Sequence, residues 1–224
     1  MGFTGKAFGR TISAVLGLFF VLRVFAEVAV VDDVGQKVAL TSPAMRVVSL
    51  APNITEILFF IGAGEQMVGA VEYSDFPPAA RDLPVIGSHS RFDVEQILSL
   101  KPDLIVGWLS GNSLEDLEGL KRLGLPVFIS EPSTVEGIVS LMERLGALTG
   151  HQAQSLSQAS AFRASFNASR ETYSTRRQVS VFYQVWEQPI YTLNGDHVIS
   201  QLISLCGGRN IFSDLKQLAP VVSL

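Results

Sequence analysis

Few residues of this sequence have the types and the spacing that catalysis requires. The three histidines, His89, His151 and His197, lie in different segments, without the His-x-x-x-His spacing or the cysteine companions of a zinc site. Residues 107–111 read Gly-Trp-Leu-Ser-Gly, where the serine comes one position too late for a nucleophile elbow. Residues 62–64, Gly-Ala-Gly, lack the third glycine of a dinucleotide-binding loop and are typical of a helix end. The sequence therefore favours binding over catalysis.

Large flat side chains follow several predicted strands. Tyr73, His89 and Trp108 follow strands in the first half of the chain, and Tyr191 follows a later one. Ligands of open α/β sheets bind at the carboxyl ends of the strands, so these side chains are expected to line one cleft. Any one of them is more often a packing residue, but four together in solvated loops indicate a stacking surface for an apolar or conjugated ligand.

Polar candidates lie at two predicted helix starts. Pro52 and Asn53 begin one helix, where free backbone amides can hold a polar ligand group. Asn53 can equally cap that helix, and the two roles are compatible. Glu95 lies in the first turn of another helix, where its interaction with the helix dipole is worth only about 0.3–1 kcal/mol. Docking to a partner protein is the alternative role for Glu95.

Length, composition and charge narrow the class of protein. The 224 residues, 47% hydrophobic and 17% charged, suffice for one large or two modest α/β domains. The 17 basic and 21 acidic residues include no lysine- or arginine-rich run, which excludes nucleic acid as a partner.

The first 26 residues have the pattern of a secretory signal peptide. Lys6 and Arg10 precede an apolar run over residues 12–22, and small residues near Ala26 offer a cleavage site. The run is shorter than the roughly 20 apolar residues of a membrane span. Removal of this segment, which holds three basic and no acidic residues, takes the net charge from −4 to −7. We expect export to the periplasm without a lipid anchor, since no cysteine follows the run.

Cys206 is the single cysteine of a chain expected in an oxidising compartment. Two alternatives are open: a partner outside this sequence, or a buried free thiol.

Short apolar runs alternate with helices that begin at capping residues, which predicts α/β architecture with a mostly parallel sheet. The predicted strands are residues 46–50, 67–71, 84–86, 103–107, 126–129 and 178–185, with another beginning at Ile211. The predicted helices are residues 54–61, 94–100, 114–123, one ending at Leu148, and 198–205. The predicted capping residues are Asn53, Asp93, Ser113 and Ser133.

Residues 151–177 differ in composition from their surroundings. They are rich in alanine, glutamine, serine and arginine, and contain neither glycine nor proline, which predicts a long and largely solvated connecting helix. Its apolar stripe is Leu156, Ala159, Phe162, Phe166 and Tyr173. The predicted organisation is a signal peptide over residues 1–26, an N-terminal α/β lobe over 27–150, the connecting helix, and a C-terminal α/β lobe beginning at 178. Fewer than 50 residues follow the helix, so this second lobe is expected to be truncated.

Several motifs resemble the periplasmic solute-binding proteins of cobalamin, haem and ferric-siderophore ABC transporters. They are residues 46–56 (Arg-Val-Val-Ser-Leu-Ala-Pro-Asn-Ile-Thr-Glu), 73–78 (Tyr-Ser-Asp-Phe-Pro-Pro), 100–105 (Leu-Lys-Pro-Asp-Leu-Ile) and 206–212 (Cys-Gly-Gly-Arg-Asn-Ile-Phe). Residues 30–40, with Asp32, Asp33 and Gly35, resemble the leading β-hairpin of the group. The resemblance extends from about residue 28 to the end of the chain.

The resemblance implies two parallel-sheet lobes joined by a single long α-helix, with the ligand held between them and little closure on binding. It also implies that Glu95 docks onto arginines of an inner-membrane permease, with the matching acid of the second lobe just past Leu224. A monomer without a cofactor, metal or catalysed reaction is expected.

The nearest resemblance is to the cobalamin-binding members. It implies that Tyr73, Trp108 and Tyr191 contact a corrin ring, with Leu109 beside them. The polar contacts are assigned to Pro52, Asn53, His89, Ser90 and Arg91. Two positions depart from these members, because His89 and Ala219 stand where they have tryptophan.

Three alternative functions stay open from the sequence. The first is a haem or ferric-siderophore binding protein of the same superfamily, in which His89 coordinates the metal centre. The second is a periplasmic enzyme whose active site uses residues beyond this sequence. The third is a structural or adhesion module without a deep cleft.

Overall fold

The computed structural model describes Gly2 and residues 27–223. The predicted signal peptide therefore lies outside the described residues, except for Gly2. Within residues 27–223, no helix combines the length and the apolar character needed to cross a bilayer.

A four-stranded parallel sheet, here called the N-terminal sheet, forms the centre of the first half of the chain. Its strands are β3 (Val47–Ser49), β4 (Met67–Ala70), β5 (Leu104–Trp108) and β6 (Val127–Ser130), in the order β4-β3-β5-β6. Almost every residue of these strands is buried, which explains why they occur in the sequence as continuous apolar runs. This confirms the predicted mostly parallel α/β architecture.

Helices cover both faces of the N-terminal sheet. Val47, Leu104 and Val106 point to one face, which packs on α1 (Pro52–Phe60), α4 (Val135–Leu148) and part of α5 (Gln152–Tyr173). Val48 and Ile105 point to the other face, which packs on α2 (Val94–Ser99) and α3 (Leu114–Arg122). The alternation follows from the two-residue period of a strand.

The helix caps confirm two predictions and correct two others. Asp93 accepts a hydrogen bond from the Gln96 amide (3.0 Å), and Ser113 accepts one from the Asp116 amide (3.3 Å), as predicted. The predicted capping residue Ser133 is wrong by one position, because Thr134 has the extended backbone and accepts from Gly137. The predicted cap at Asn53 is also wrong: α1 begins earlier, at Pro52, whose fixed φ suits the first helical position.

The predicted strand over residues 84–86 is reduced to a single bridge between Ala70 and Val85. Pro84 has no N–H to donate, and Gly87 at φ +108° turns the chain away from the sheet, so the segment pairs with β4 over one residue only.

Two aspartates stabilise the turn of the N-terminal hairpin and connect it to α4. Strands β1 (Val28–Val31) and β2 (Lys37–Leu40) pair in antiparallel fashion, which confirms the predicted hairpin. Buried Asp32 accepts from the amides of Val34 and Gln36 within the turn, and Asp33 pairs with Arg144 of α4 (2.6 Å).

The helix α5 confirms the predicted long helix, but it is docked on one side as far as Phe166. Its buried side is Ser155, Ala159, half-buried Phe162 and Phe166, with helical spacing, and this side packs against α4. The assignment of Leu156 to the apolar stripe is wrong, since Leu156 is exposed and Ser155 takes the buried position. The small side chain of Ser155 fits the buried position because α4 and α5 approach closely at Gly146, where even an added methyl group would collide with Ser155.

A second, smaller set of elements follows α5 and is called here the C-terminal unit. It contains β7 (Val179–Val181), α6 (Val198–Leu205) and β10 (Gly208–Asn210), with β7 and β10 paired in parallel. The hairpin β8 (Trp186–Glu187) and β9 (Ile190–Tyr191) lies between β7 and α6. Helix α6 has its predicted bounds. The predicted strand over 178–185 is shorter, and the strand expected from Ile211 comes earlier, directly after Gly207 ends α6 at φ +77°.

Cys206 is a free, exposed thiol at the end of α6. The alternative of a buried thiol is therefore wrong.

The close contact between α4 and α5 gives the first testable prediction. A methyl group on Gly146 would collide with Ser155, so Gly146→Ala should lower the free energy of unfolding by about 1–3 kcal/mol. Gly119→Ala is the matched control, because a methyl group there meets only the tip of Arg122, and alanine favours the helix by up to about 1 kcal/mol. Urea unfolding of both variants measures the difference, and equal shifts would contradict the packing.

Candidate functional site

A cavity of about 830 Å³ lies between the carboxyl edge of the N-terminal sheet and the C-terminal unit. The helices α1, α4 and α5 contribute Asn53, Met142 and Phe162 among others, and the C-terminal unit contributes His197 and Val198. Its volume falls within the range of about 300–1,000 Å³ that is usual for small-molecule sites.

The wall of the cavity is mainly apolar and aromatic. The aromatic side chains that line it are Phe60, Phe76, Trp108 and Phe162. Phe60 and Phe76 are exposed and belong to neither buried core cluster, so their rings present apolar surface to the cavity. Such a wall offers stacking contacts to a flat or conjugated ligand.

Trp108 is the last residue of β5, and two neighbours set its position. Its backbone N–H donates to the Asn112 Oδ1 atom at 2.7 Å. Its half-buried ring lies directly over Gly111, where a methyl group would collide with the indole. Gly111, the second glycine of the Gly-Trp-Leu-Ser-Gly segment, is therefore explained by its contact with the indole ring and not by a nucleophile elbow.

The buried amide of Asn112 connects three loops at the carboxyl edge of the sheet. Besides accepting from Trp108, it donates to the carbonyl oxygens of Leu50 (2.9 Å) and His89 (2.6 Å). The loops that follow β3, β4 and β5 thus meet at one side chain.

A second buried network fixes the loop that carries Tyr73. The Thr55 hydroxyl lies within hydrogen-bond distance of the hydroxyl groups of Ser49 (2.9 Å) and Ser74 (3.2 Å). These contacts link β3, α1 and this loop. Tyr73 itself is 79% exposed and has a left-handed backbone at φ +65°, a conformation that side chains rarely adopt without constraint.

Glu131 places a carboxylate at the cavity wall directly after β6. Its two oxygens accept from the backbone N–H and the hydroxyl of Ser110, both at 2.9 Å. The Glu131 N–H donates to Asp33 at 2.6 Å, and Asp33 pairs with Arg144. The N-terminal hairpin therefore holds the backbone of Glu131, and Ser110 holds its carboxylate.

His197 lines the opposite side of the cavity at the start of α6. Its Nδ1 atom accepts from the Ile199 N–H at 3.1 Å, so the ring caps the helix and carries its proton on Nε2 when neutral. Burial lowers the pKa of His197, and the charge of Glu131 partly offsets that effect. Both the cap and the burial favour the neutral ring.

The structure brings three of the predicted site residues together and leaves six outside this wall. Pro52, Asn53 and Trp108 line the cavity. The six predicted residues that are not part of its lining are Tyr73, His89, Ser90, Arg91, Leu109 and Tyr191.

Physical reasons account for these six positions. Tyr73 lies at the same sheet edge as Trp108 but projects into solvent. His89, Ser90 and Arg91 are exposed in a turn that Ser88 closes onto Arg91. Leu109 packs against the core on the far face of the sheet. Tyr191 is paired within the β8–β9 hairpin.

Several lining residues were missed from the sequence. Glu131 follows a strand directly, so the strand-end rule that selected Trp108 would also have found it. Phe76 lies in a segment already noted for its resemblance to the cobalamin binders. His197 and Leu218 reach the cavity only through tertiary packing, for which the sequence has no local signal. Among residues 27–223, no group of three or more His, Cys, Asp or Glu side chains is arranged to hold a metal ion.

Known proteins are similar to this chain in sequence and in fold. A family model described as periplasmic binding protein matches residues 47–224. A vitamin B12-binding protein of Vibrio campbellii is 38% identical over 182 residues, which are 81% of this chain and 66% of that relative. The chain thus spans about two thirds of the length of the curated relatives that it matches.

Solved structures show the same fold. The periplasmic vitamin B12-binding protein BtuF of Vibrio cholerae has a TM-score of 0.75 at 38% identity, over 81% of this chain and 71% of that chain. The periplasmic haem-binding protein RhuT from Roseiflexus sp. RS-1 has a TM-score of 0.69 at 26% identity, over 80% and 71% of the two chains.

The network around Asn112 gives the second prediction. Asn112→Ala leaves the Trp108 N–H and two carbonyl groups without their partner, so the free energy of unfolding should fall by about 1–3 kcal/mol. The near-ultraviolet circular dichroism of Trp108 should weaken as well. Asn53→Ala, at an exposed position, should change stability by less than about 0.5 kcal/mol. A similar loss in both variants would refute the role assigned to Asn112.

The lowered pKa of His197 gives the third prediction. The unfolded chain binds a proton at this ring near the ordinary value of about 6.5, before the folded chain does. The contribution of neutral His197 to the free energy of unfolding is therefore complete above about pH 6.5, and it is lost as the pH falls toward the lower pKa of the folded state. Urea unfolding at pH 7 and pH 5 should show a larger loss for the unsubstituted chain than for His197→Asn, which keeps a capping side chain. Equal losses of unfolding free energy in the two proteins would contradict a lowered pKa of His197.

Proposed function

Because the chain belongs to the periplasmic binding protein family, we propose that it is the substrate-binding component of an ABC importer. In this proposal it is exported by residues 1–26, captures cobalamin or a related corrinoid in the cavity, and delivers the ligand to an inner-membrane permease. The relatives are named for binding a vitamin, which supports a transport role without catalysis.

The composition of the cavity wall is the observation that carries the choice of ligand. Four aromatic side chains supply faces for a large conjugated ring. The charged side chains of the wall are Glu56 and Glu131, and no lysine or arginine is among the described residues that line it. An acidic, aromatic cavity suits a ligand whose edge carries hydrogen-bond donors, such as the carboxamides of a corrinoid.

The same wall disfavours anionic ligands. Haem carries two propionates, and many ferric siderophores are anionic, so each would meet a carboxylate without a compensating cation. The structural similarity to a haem-binding protein keeps haem as the alternative ligand. Under that alternative, His89 would have to swing from its exposed turn into the cavity to reach the metal. A periplasmic enzyme with its site outside this sequence finds no support in the names of the relatives.

Docking to the permease is assigned to Glu95. This carboxylate is exposed in the first turn of α2, on the sheet face opposite to α1 and α4. It is therefore accessible to arginines of a membrane partner while the cavity holds the ligand. A monomer in solution is expected.

Spectral titration tests the proposed function and gives the fourth prediction. The unsubstituted chain should bind cyanocobalamin more tightly than haemin or a ferric siderophore. Trp108→Ala should weaken binding at least about tenfold, because a buried aromatic contact is commonly worth 1.4 kcal/mol or more.

Trp186→Ala is the matched control. Trp186 is 63% exposed in β8 and lies outside the cavity wall, so its removal should leave the affinity unchanged. Absence of a spectral change with cyanocobalamin would end the corrinoid proposal. Tighter binding of haemin would favour the alternative.

A further inference from the structure

Glu131 and His197 reach the cavity from two different parts of the chain. Glu131 follows β6 of the N-terminal sheet, and His197 begins α6 of the C-terminal unit. The two parts meet at Gln201, whose Oε1 accepts from the Val135 N–H (3.2 Å) and whose Nε2 donates to the Ser133 carbonyl oxygen (3.4 Å). The first turn of α6 is thereby held beside the loop that carries Glu131.

The hydrogen bonds of His197 make it a donor. Its Nδ1 lone pair is used by the Ile199 N–H, so the neutral ring has its proton on Nε2. A ring in this tautomer cannot ligate a metal through Nε2 without losing its cap. Burial of the ring acts in the same direction, since it disfavours the charged form. His197 therefore offers one neutral N–H to an occupant of the cavity.

Glu131 is an acceptor with spare capacity. Each of its oxygens accepts one hydrogen bond from Ser110, and each carboxylate oxygen can accept two. The bond from its own N–H to Asp33, which Arg144 pairs, fixes the start of the loop. The carboxylate is thus oriented before any ligand arrives.

We propose that His197 and Glu131 form a donor–acceptor pair that recognises a primary carboxamide of the ligand. The Nε2–H donates to the carboxamide oxygen, and the Glu131 carboxylate accepts from the carboxamide NH2 group. A carboxylate in place of that carboxamide offers no donor and is repelled by Glu131. The pair deepens the proposed function and rests on it. Because one group comes from each part of the chain, a single carboxamide bridges the two sides of the cavity.

The test compares cyanocobalamin with its b-, d- and e-monocarboxylic acids, in which one carboxamide is replaced by a carboxylate. Spectral titration at pH 7 should show that the unsubstituted chain binds at least one of the three acids at least about tenfold more weakly than cyanocobalamin. In Glu131→Gln the same acid should lose most of that penalty, because the repelling charge is gone. His197→Asn, which keeps a cap for α6 but has a shorter side chain, should weaken binding of cyanocobalamin about tenfold.

The matched control is Glu115→Gln, which removes an exposed carboxylate of α3 that lies outside the cavity wall. It should leave the difference in affinity between cyanocobalamin and the acid unchanged. Thermal unfolding of each variant confirms that it is folded. The recognition pair is refuted, while the proposed function stands, if all three acids bind as tightly as cyanocobalamin. The same conclusion follows if Glu131→Gln still binds the acid as much more weakly than cyanocobalamin as the unsubstituted chain does. If the unsubstituted chain binds no cyanocobalamin, both are refuted.

Discussion

The buried amide of Asn112 is the contact on which the geometry of the cavity edge depends. Parallel strands end at one edge of the sheet, but the loops that leave them have no regular structure to hold them together. Asn112 supplies that connection through its bonds to Leu50, His89 and Trp108. Because the amide is buried, its partners cannot exchange to water without a loss of stability. The Trp108 ring is consequently presented to the cavity at a fixed place.

The cavity combines this rigid edge with a mainly apolar lining that carries two carboxylates, those of Glu56 and Glu131. Ser110 holds the Glu131 carboxylate, and Asp33, which pairs with Arg144, holds the Glu131 backbone N–H at the start of the loop after β6. The proposed preference for a broad apolar ring with hydrogen-bond donors at its rim rests on the aromatic faces and on the oriented Glu131 carboxylate. The affinity of such a site comes from surface burial and its selectivity from charge.

The sequence predicts the fold better than it predicts the site. The succession of strands and helices along the chain and the bounds of α6 follow from local signals such as apolar runs, caps and glycines, whereas the N-terminal hairpin is expected only from the family resemblance. Trp108 could be assigned because it ends a strand that is unambiguous. Tyr191 could not be placed, because its pairing in the β8–β9 hairpin depends on Trp186 and not on the preceding strand. Leu156 was assigned to the packed stripe by its apolarity, whereas the close approach at Gly146 selects the smaller Ser155.

The helix α5 has its last buried residue at Phe166, although it continues to Tyr173. The remaining seven residues form a lever of about 10 Å that carries the C-terminal unit, at about 1.5 Å of rise per residue. The boundary between docked and solvated helix therefore lies about 10 Å before the C-terminal unit. Across the cavity, the two parts of the chain are held together at Gln201 instead.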